Sequence, residues 1–115
     1  MNTLGINVTI PSLSALTPIS TNTYRFVIKF FNSSGGALGN SNIPNVYTDD
    51  VTTTSTSFQL QVPVTSGDYT IPNVTIKVYS NTDSNCCFTS GVYTITNTTP
   101  VVGGILELGG YINEI

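Results

Sequence analysis

The chain has 115 residues with three cations and six acids, no His and no Trp, and a net charge of −3. Thr, Ser and Asn fill 43 positions, whereas charged residues alone make up about 25% of an ordinary domain. Without imidazole neither a Ser-His-Asp nor a Cys-His nucleophile system can be assembled. Arg25, Lys29 and Lys77 are too few to neutralise a run of phosphates or to grip an anionic membrane.

The length predicts one domain over residues 1–115. The N-terminal MNTLGINVTIPSL has neither a basic stretch nor an unbroken apolar one, so no signal peptide is expected. Leu4, Ile6, Val8 and Ile10 alternate with Gly5, Asn7 and Thr9, which predicts a strand closed by Pro11. Tyr24, Phe26, Ile28 and Phe30 alternate with Arg25, Val27, Lys29 and Phe31. This second strand has its large apolar groups on one face and its cations on the other. Phe31 interrupts the polar face and is a candidate contact to a second sheet or a partner.

Residues 32–42 (NSSGGALGNSN) read as a long loop, with Gly35, Gly36 and Gly39 spaced wrongly for a phosphate loop. Val46 and Tyr47 predict a short edge strand, and Asp49-Asp50 a solvated turn. If the segment were extended, those neighbouring carboxylates would point to opposite faces and could not share acid–base work. Calcium on Asp49, Asp50, Asp68 or Asp83 with loop carbonyls is a weaker alternative, since no Asp-x-Asp-x-Asp loop is present.

Residues 56–64 predict a strand with Phe58, Leu60, Val62 and Val64 inward and Gln59 and Gln61 outward. Pro63 implies that its end lies at an edge or bulge. Val74, Ile76 and Val78 alternate with Thr75, Lys77 and Tyr79; residues 81–85 read as a turn; residues 92–96, 105–108 and 111–112 complete the series. The eleven residues from Thr65 match those from Thr89 at eight positions, which predicts two Ser-Gly turns, each leading into a Tyr-Thr-Ile strand.

Six to eight short strands joined by turns point to an all-β sandwich. Thr suits such a fold, because a β-branched hydroxyl residue fits the solvated face of a sheet. Adjacent Cys86 and Cys87 read as free thiols, and two cysteines without His cannot form a structural zinc site. No metal, cofactor or catalytic residue is expected.

The stretch 56–80, with SFQLQVPV, SGDYTI and NVTIKVYS, resembles the later strands of immunoglobulin-like and fibronectin type III-like sandwiches, and SGVYTIT at 90–96 is similar in style. The inter-sheet Cys pair and core Trp of antibody domains are missing, so a jelly roll stays open as an alternative topology. The whole chain also resembles small virion proteins of tailed phages, such as the auxiliary capsid (head-decoration) proteins of crAss-like phages.

That resemblance implies a non-enzymatic structural protein in the virion. It would be made in the host cytoplasm, bind the major capsid protein or other virion subunits, and be present in many copies or as a homo-oligomer. The alternative is a binding module for adhesion or carbohydrate. Leu4, Ile6, Phe31, Tyr111, Ile112 and Ile115 are the candidate contact residues, because apolar groups in the terminal segments 1–10 and 103–115 sit beside Gly pairs or reach outward.

Overall fold

The computed structural model describes residues 2–10, 12–65, 69–80, 86–97, 105–108 and 113–114. In chain order the strands are β1 (Asn2–Thr9), β2 (Thr23–Phe31), β3 (Val46–Thr52), β4 (Ser57–Val64), β5 (Tyr69–Ser80), β6 (Cys86–Asn97), β7 (Ile105–Leu108) and β8 (Asn113–Glu114). They form two sheets. One has three strands in the order β4-β1-β7, and the other has five in the order β3-β2-β5-β6-β8. The protein is therefore all-β, with only a 3-10 turn at Leu13–Ala15 breaking the pattern among the described residues.

The alternation visible in the sequence fixes which face of each strand is buried. Along β2 every second residue is buried, so that Tyr24, Phe26, Ile28 and Phe30 face inward. β5 adds Ile71, Val74, Ile76 and Val78, and β6 adds Ile95. The smaller sheet answers with Leu4, Ile6 and Val8 from β1 and with Leu60 and Val62 from β4. The Phe26 and Phe58 rings meet across the gap, with centroids 5.0 Å apart. Burying side chains of this size contributes roughly 1.5–3 kcal/mol each.

The chain passes between sheets after β1, β3, β4, β6 and β7. Each passage lets consecutive apolar faces meet across the core rather than leaving one exposed. Most strand pairs are antiparallel, as the short turns predict. The exception is β1 with β7, which run parallel with Gly5 opposite Ile105 and Val8 opposite Leu108. Parallel neighbours need a long connection, and here almost the whole chain lies between them.

Three local expectations are corrected. Asp49-Asp50 is not a turn but the middle of β3, which runs from Val46 to Thr52. The segment is paired with β2 along its length, with Arg25 opposite Asp50, and pairing outweighs the poor strand propensity of Asp. The second Ser-Gly of the internal repeat is not a turn either, since Ser90 and Gly91 lie within β6. The first copy falls partly outside the described residues. What the repeat does provide is a cross-strand match, because Ile71 and Ile95 are direct partners and both are buried. Finally, the terminal strand β1 is the centre of its sheet, not a segment that reaches outward. The expected turn at 81–85 and strand at 111–112 lie outside the described residues.

The pairing of β5 with β6 carries two register shifts, between Ile71 and Val74 and between Thr75 and Lys77, and the sequence accommodates the first. Asn73 there has φ of 59°. Asn tolerates this left-handed conformation better than most residues.

Candidate interaction surfaces

The two sheets present different outer faces. On the five-stranded sheet, the residues of β2 that point away from the core are Thr23, Arg25, Val27, Lys29 and Phe31. All three cations of the chain lie on this face, because Lys77 of β5 sits directly opposite Lys29. Like charges so placed repel across a strand pair. Their side chains diverge along opposite diagonals: the Lys29 Nζ lies 5.0 Å from the centre of the Tyr79 ring, and the Lys77 Nζ lies 5.4 Å from that of Phe31. Each ammonium is held by the negative face of a ring.

No carboxylate among the described residues forms a salt bridge with either lysine; the ion pair found is Arg25 with Asp50. That pair is a two-bond fork, Nε to Oδ1 at 2.8 Å and Nη2 to Oδ2 at 3.0 Å. Hydrogen bonding to Arg25 holds the Asp50 carboxyl below its ordinary range, and the same contact raises Arg25. Val46, paired with Lys29 on the other side, is 52% exposed. The face thus combines two ammonium groups, two aromatic rings and an uncovered valine within three neighbouring strands.

On the outer face of the smaller sheet, the described side chains of β1 and β4 bond one another. The Gln61 side-chain amide donates to Gln59 Oε1, and Gln59 Nε2 donates to Asn7 Oδ1 at 2.9 Å. Gly5 makes this chain possible. A Cβ at that position would come within 3.0 Å of the Gln59 amide.

The free edge of β4 is closed by four separate devices. Ser57 N donates to Ser55 Oγ at 3.1 Å, and Gln61 N donates to Asp49 Oδ2 at 2.8 Å. Pro63 has no N–H, and Thr65 N donates to Asn42 O at 3.0 Å. Satisfied donors and a proline at an edge discourage pairing with another strand. The Asp49 carboxyl reaches inward from β3 to do this. Burial raises its pKa, an effect the Gln61 N–H partly offsets and the Asp50 charge reinforces. With Asp49 bonded to Gln61 and Asp50 to Arg25, the two carboxylates serve different neighbours and do not converge on a shared site.

At one end of the sandwich the 32–45 loop folds on itself. Asn32 Oδ1 accepts from Ser34 N and Gly36 N, Asn32 Nδ2 donates to Ala37 O, and Gly35 and Gly39 take positive φ values. Beyond it, an open cleft of about 540 Å³ lies between residues 40–45 and the end of β4. The composition of the loop signals a turn-rich segment, but that this segment meets Pro63 and Thr65 is a tertiary fact.

The residues singled out from sequence part company here. Leu4 and Ile6 are 3% and 0% exposed and belong to the core, so they are not surface contacts. Their strand is covered on its apolar face by the larger sheet, which the alternation by itself does not disclose. Phe31 is half-buried on the cationic face, beside Lys77. Tyr111, Ile112 and Ile115 lie outside the described residues, as do Asp68 and Asp83. Among the described residues no group of three or more Cys, Asp or Glu side chains is placed to hold a metal ion, and no helix is long and apolar enough to cross a membrane.

These features define the class as a two-sheet, all-β protein with one self-bonded and one cationic–aromatic outer face. In comparisons with known proteins the chain matches no family model, no curated protein and no solved structure.

Proposed function

We propose that this protein is a non-enzymatic assembly subunit, of the kind that binds and stabilises the capsid shell of a tailed phage as an auxiliary (decoration) protein. The observation that carries the reading is the opposition of Lys29 and Lys77 on an exposed sheet face. Two like charges held side by side are a local cost, and a conflict of this kind is what an interaction site leaves in an otherwise consistent sequence. The partner that relieves it is a protein surface bearing carboxylates, with Phe31 and Val46 supplying apolar contact beside the charged pair. The strand on the far side, β6, contains no charged residue, so it supplies no acid to satisfy the lysines.

The test is direct. Virions purified from the phage that carries this gene are examined by quantitative mass spectrometry, and recombinant protein is added to shells lacking it. The protein is expected in many copies per particle, with binding that weakens as ionic strength rises. The Lys29→Glu, Lys77→Glu double variant should fold but fail to decorate the shell. Absence of the protein from virions, or full binding by the double variant, would overturn the reading.

A further inference from the structure

The open cleft at the loop end of the sandwich has a chemistry unlike that of the cationic face. It is walled by Asn40, Asn42, Asn45, Tyr47, Pro44 and Pro63, and no acid or base is among its described lining residues. It is wide open to solvent, with a volume of about 540 Å³. The amides are not loosely placed. Asn40 Oδ1 accepts from Asn42 N at 2.8 Å, and Asn45 Oδ1 accepts from Gly39 N at 2.9 Å. A backbone N–H at the oxygen end settles which way each of these two side-chain amides is turned. Among the described residues, nothing takes up the amino end of either.

The wall is also anchored from below and from the side. Ile43 is buried in the core. Thr65 N donates to Asn42 O at 3.0 Å and Thr65 Oγ1 to Ser41 O at 3.3 Å, tying the loop to the end of β4. The ordering of these groups has therefore been done by folding, before any ligand arrives.

We propose that this cleft binds a neutral saccharide. Fixed amide N–H donors match the acceptor oxygens of sugar hydroxyls. The proline rings and the Tyr47 ring, which line the cleft, offer flat apolar surface to the C–H face of a pyranose. An ionic ligand would find no counter-charge among the described lining residues, and a wholly apolar one would leave the amides unpaired at a cost. The site does not depend on the assembly role. Val46 and Tyr47 are neighbours in β3 that face opposite ways, Val46 outward beside Lys29 and Tyr47 toward the core side.

The experiment is a titration of the isotope-labelled full chain, followed by amide chemical shifts. The probes are glucose, galactose, mannose and N-acetylglucosamine and their short linear oligomers, with a sulfated oligosaccharide, a nucleoside and a neutral dipeptide as controls. The expected result is saturable shifts confined to residues 39–47 and 63–65 with at least one neutral sugar. Asn45→Asp keeps the oxygen that accepts from Gly39 but deletes the amide donor, and it should weaken binding roughly tenfold. Tyr47→Ala should weaken it at least as much. Because Tyr47 also packs against the core, Asn45→Asp is the deciding variant.

No saturable shift with any neutral sugar, shifts elsewhere on the chain, or wild-type affinity in Asn45→Asp would each overturn the inference. So would equal or tighter binding of a control in the same cleft. The Lys29→Glu, Lys77→Glu protein should bind the sugar normally, so failure of the assembly reading and failure of this one are distinguishable.

Discussion

The outer faces of the two sheets are built from similar alternation yet end in opposite states. On the smaller sheet, Gln61, Gln59 and Asn7 bond one another in series over Gly5. On the larger, Lys29 and Lys77 stand opposite each other and turn to separate rings. Side-chain amides both donate and accept, so a row of them can close on itself. Ammonium groups only donate, so two of them can never satisfy each other. On one face the side chains close on each other, and on the other the two ammonium groups turn to aromatic rings instead.

The largest effect should come from the layer the faces share. Ile6→Ala, fully buried beneath the amide row of β1 and β4, should cost about 2–5 kcal/mol in urea denaturation. Its neighbour Asn7→Ala, on the other side of the same strand, should cost about 1 kcal/mol. If the two substitutions were equal, the division into inner and outer faces would fail.

Asn73 sharpens the comparison next, since it marks where β5 departs from regular pairing. Asn73→Val should cost about 1–2 kcal/mol, because a β-branched residue is strained at φ of 59°. Asn73→Gly should be close to neutral, and calorimetry will separate the two.

On the cationic face, Lys29→Glu alone converts the opposed pair into an attractive one. A gain of about 0.2–1 kcal/mol is expected, falling as salt is added, together with loss of docking. A stabilised protein that no longer binds would show that the like-charge pair is kept at a cost to stability. Loss of stability instead would mean that the contact of Lys29 with Tyr79 outweighs the repulsion.

The smallest effect is one of pH. Because burial raises the Asp49 pKa, the folded state holds this proton more firmly than the unfolded chain does. Ionisation therefore costs stability, and the cost appears as pH rises from the ordinary value of 3.8 through the higher folded one. Asp50 acts in the other direction. Its lowered pKa stabilises the fold above the ordinary value, and that contribution is lost as pH falls through the folded value. Asp49→Asn keeps an acceptor for Gln61 N and removes the ionisation cost. The variant should be slightly more stable than wild type at neutral pH, with the difference shrinking on acidification, as a series of denaturation curves from about pH 3 to 7 will measure.

Much of this molecule can be read without its structure, and the reason is local. Period-two alternation over residues 24–31 or 57–64 needs no knowledge of neighbours, because successive side chains on any strand must point to opposite faces. The all-β class, the buried sets on β2, β4 and β5, and the edge position announced by Pro63 follow from that rule. Asp49-Asp50 and Ser90-Gly91 did not, because their residue types favour turns; pairing with β2 holds the first pair extended, and the second lies in β6 at the register shift opposite Thr75 and Lys77.

What belongs to tertiary structure is everything that depends on register and on which strands meet. Lys29 and Lys77 are 48 positions apart, and nothing short of the β2–β5 register makes them opposite. The parallel neighbours β1 and β7, the reach of Asp49 to Gln61, and the cleft between the 40–45 loop and the end of β4 are decided in the same way. Composition set a chain rich in neutral hydroxyls and amides and carrying nine charges. Long-range pairing then gathered every cation onto one face.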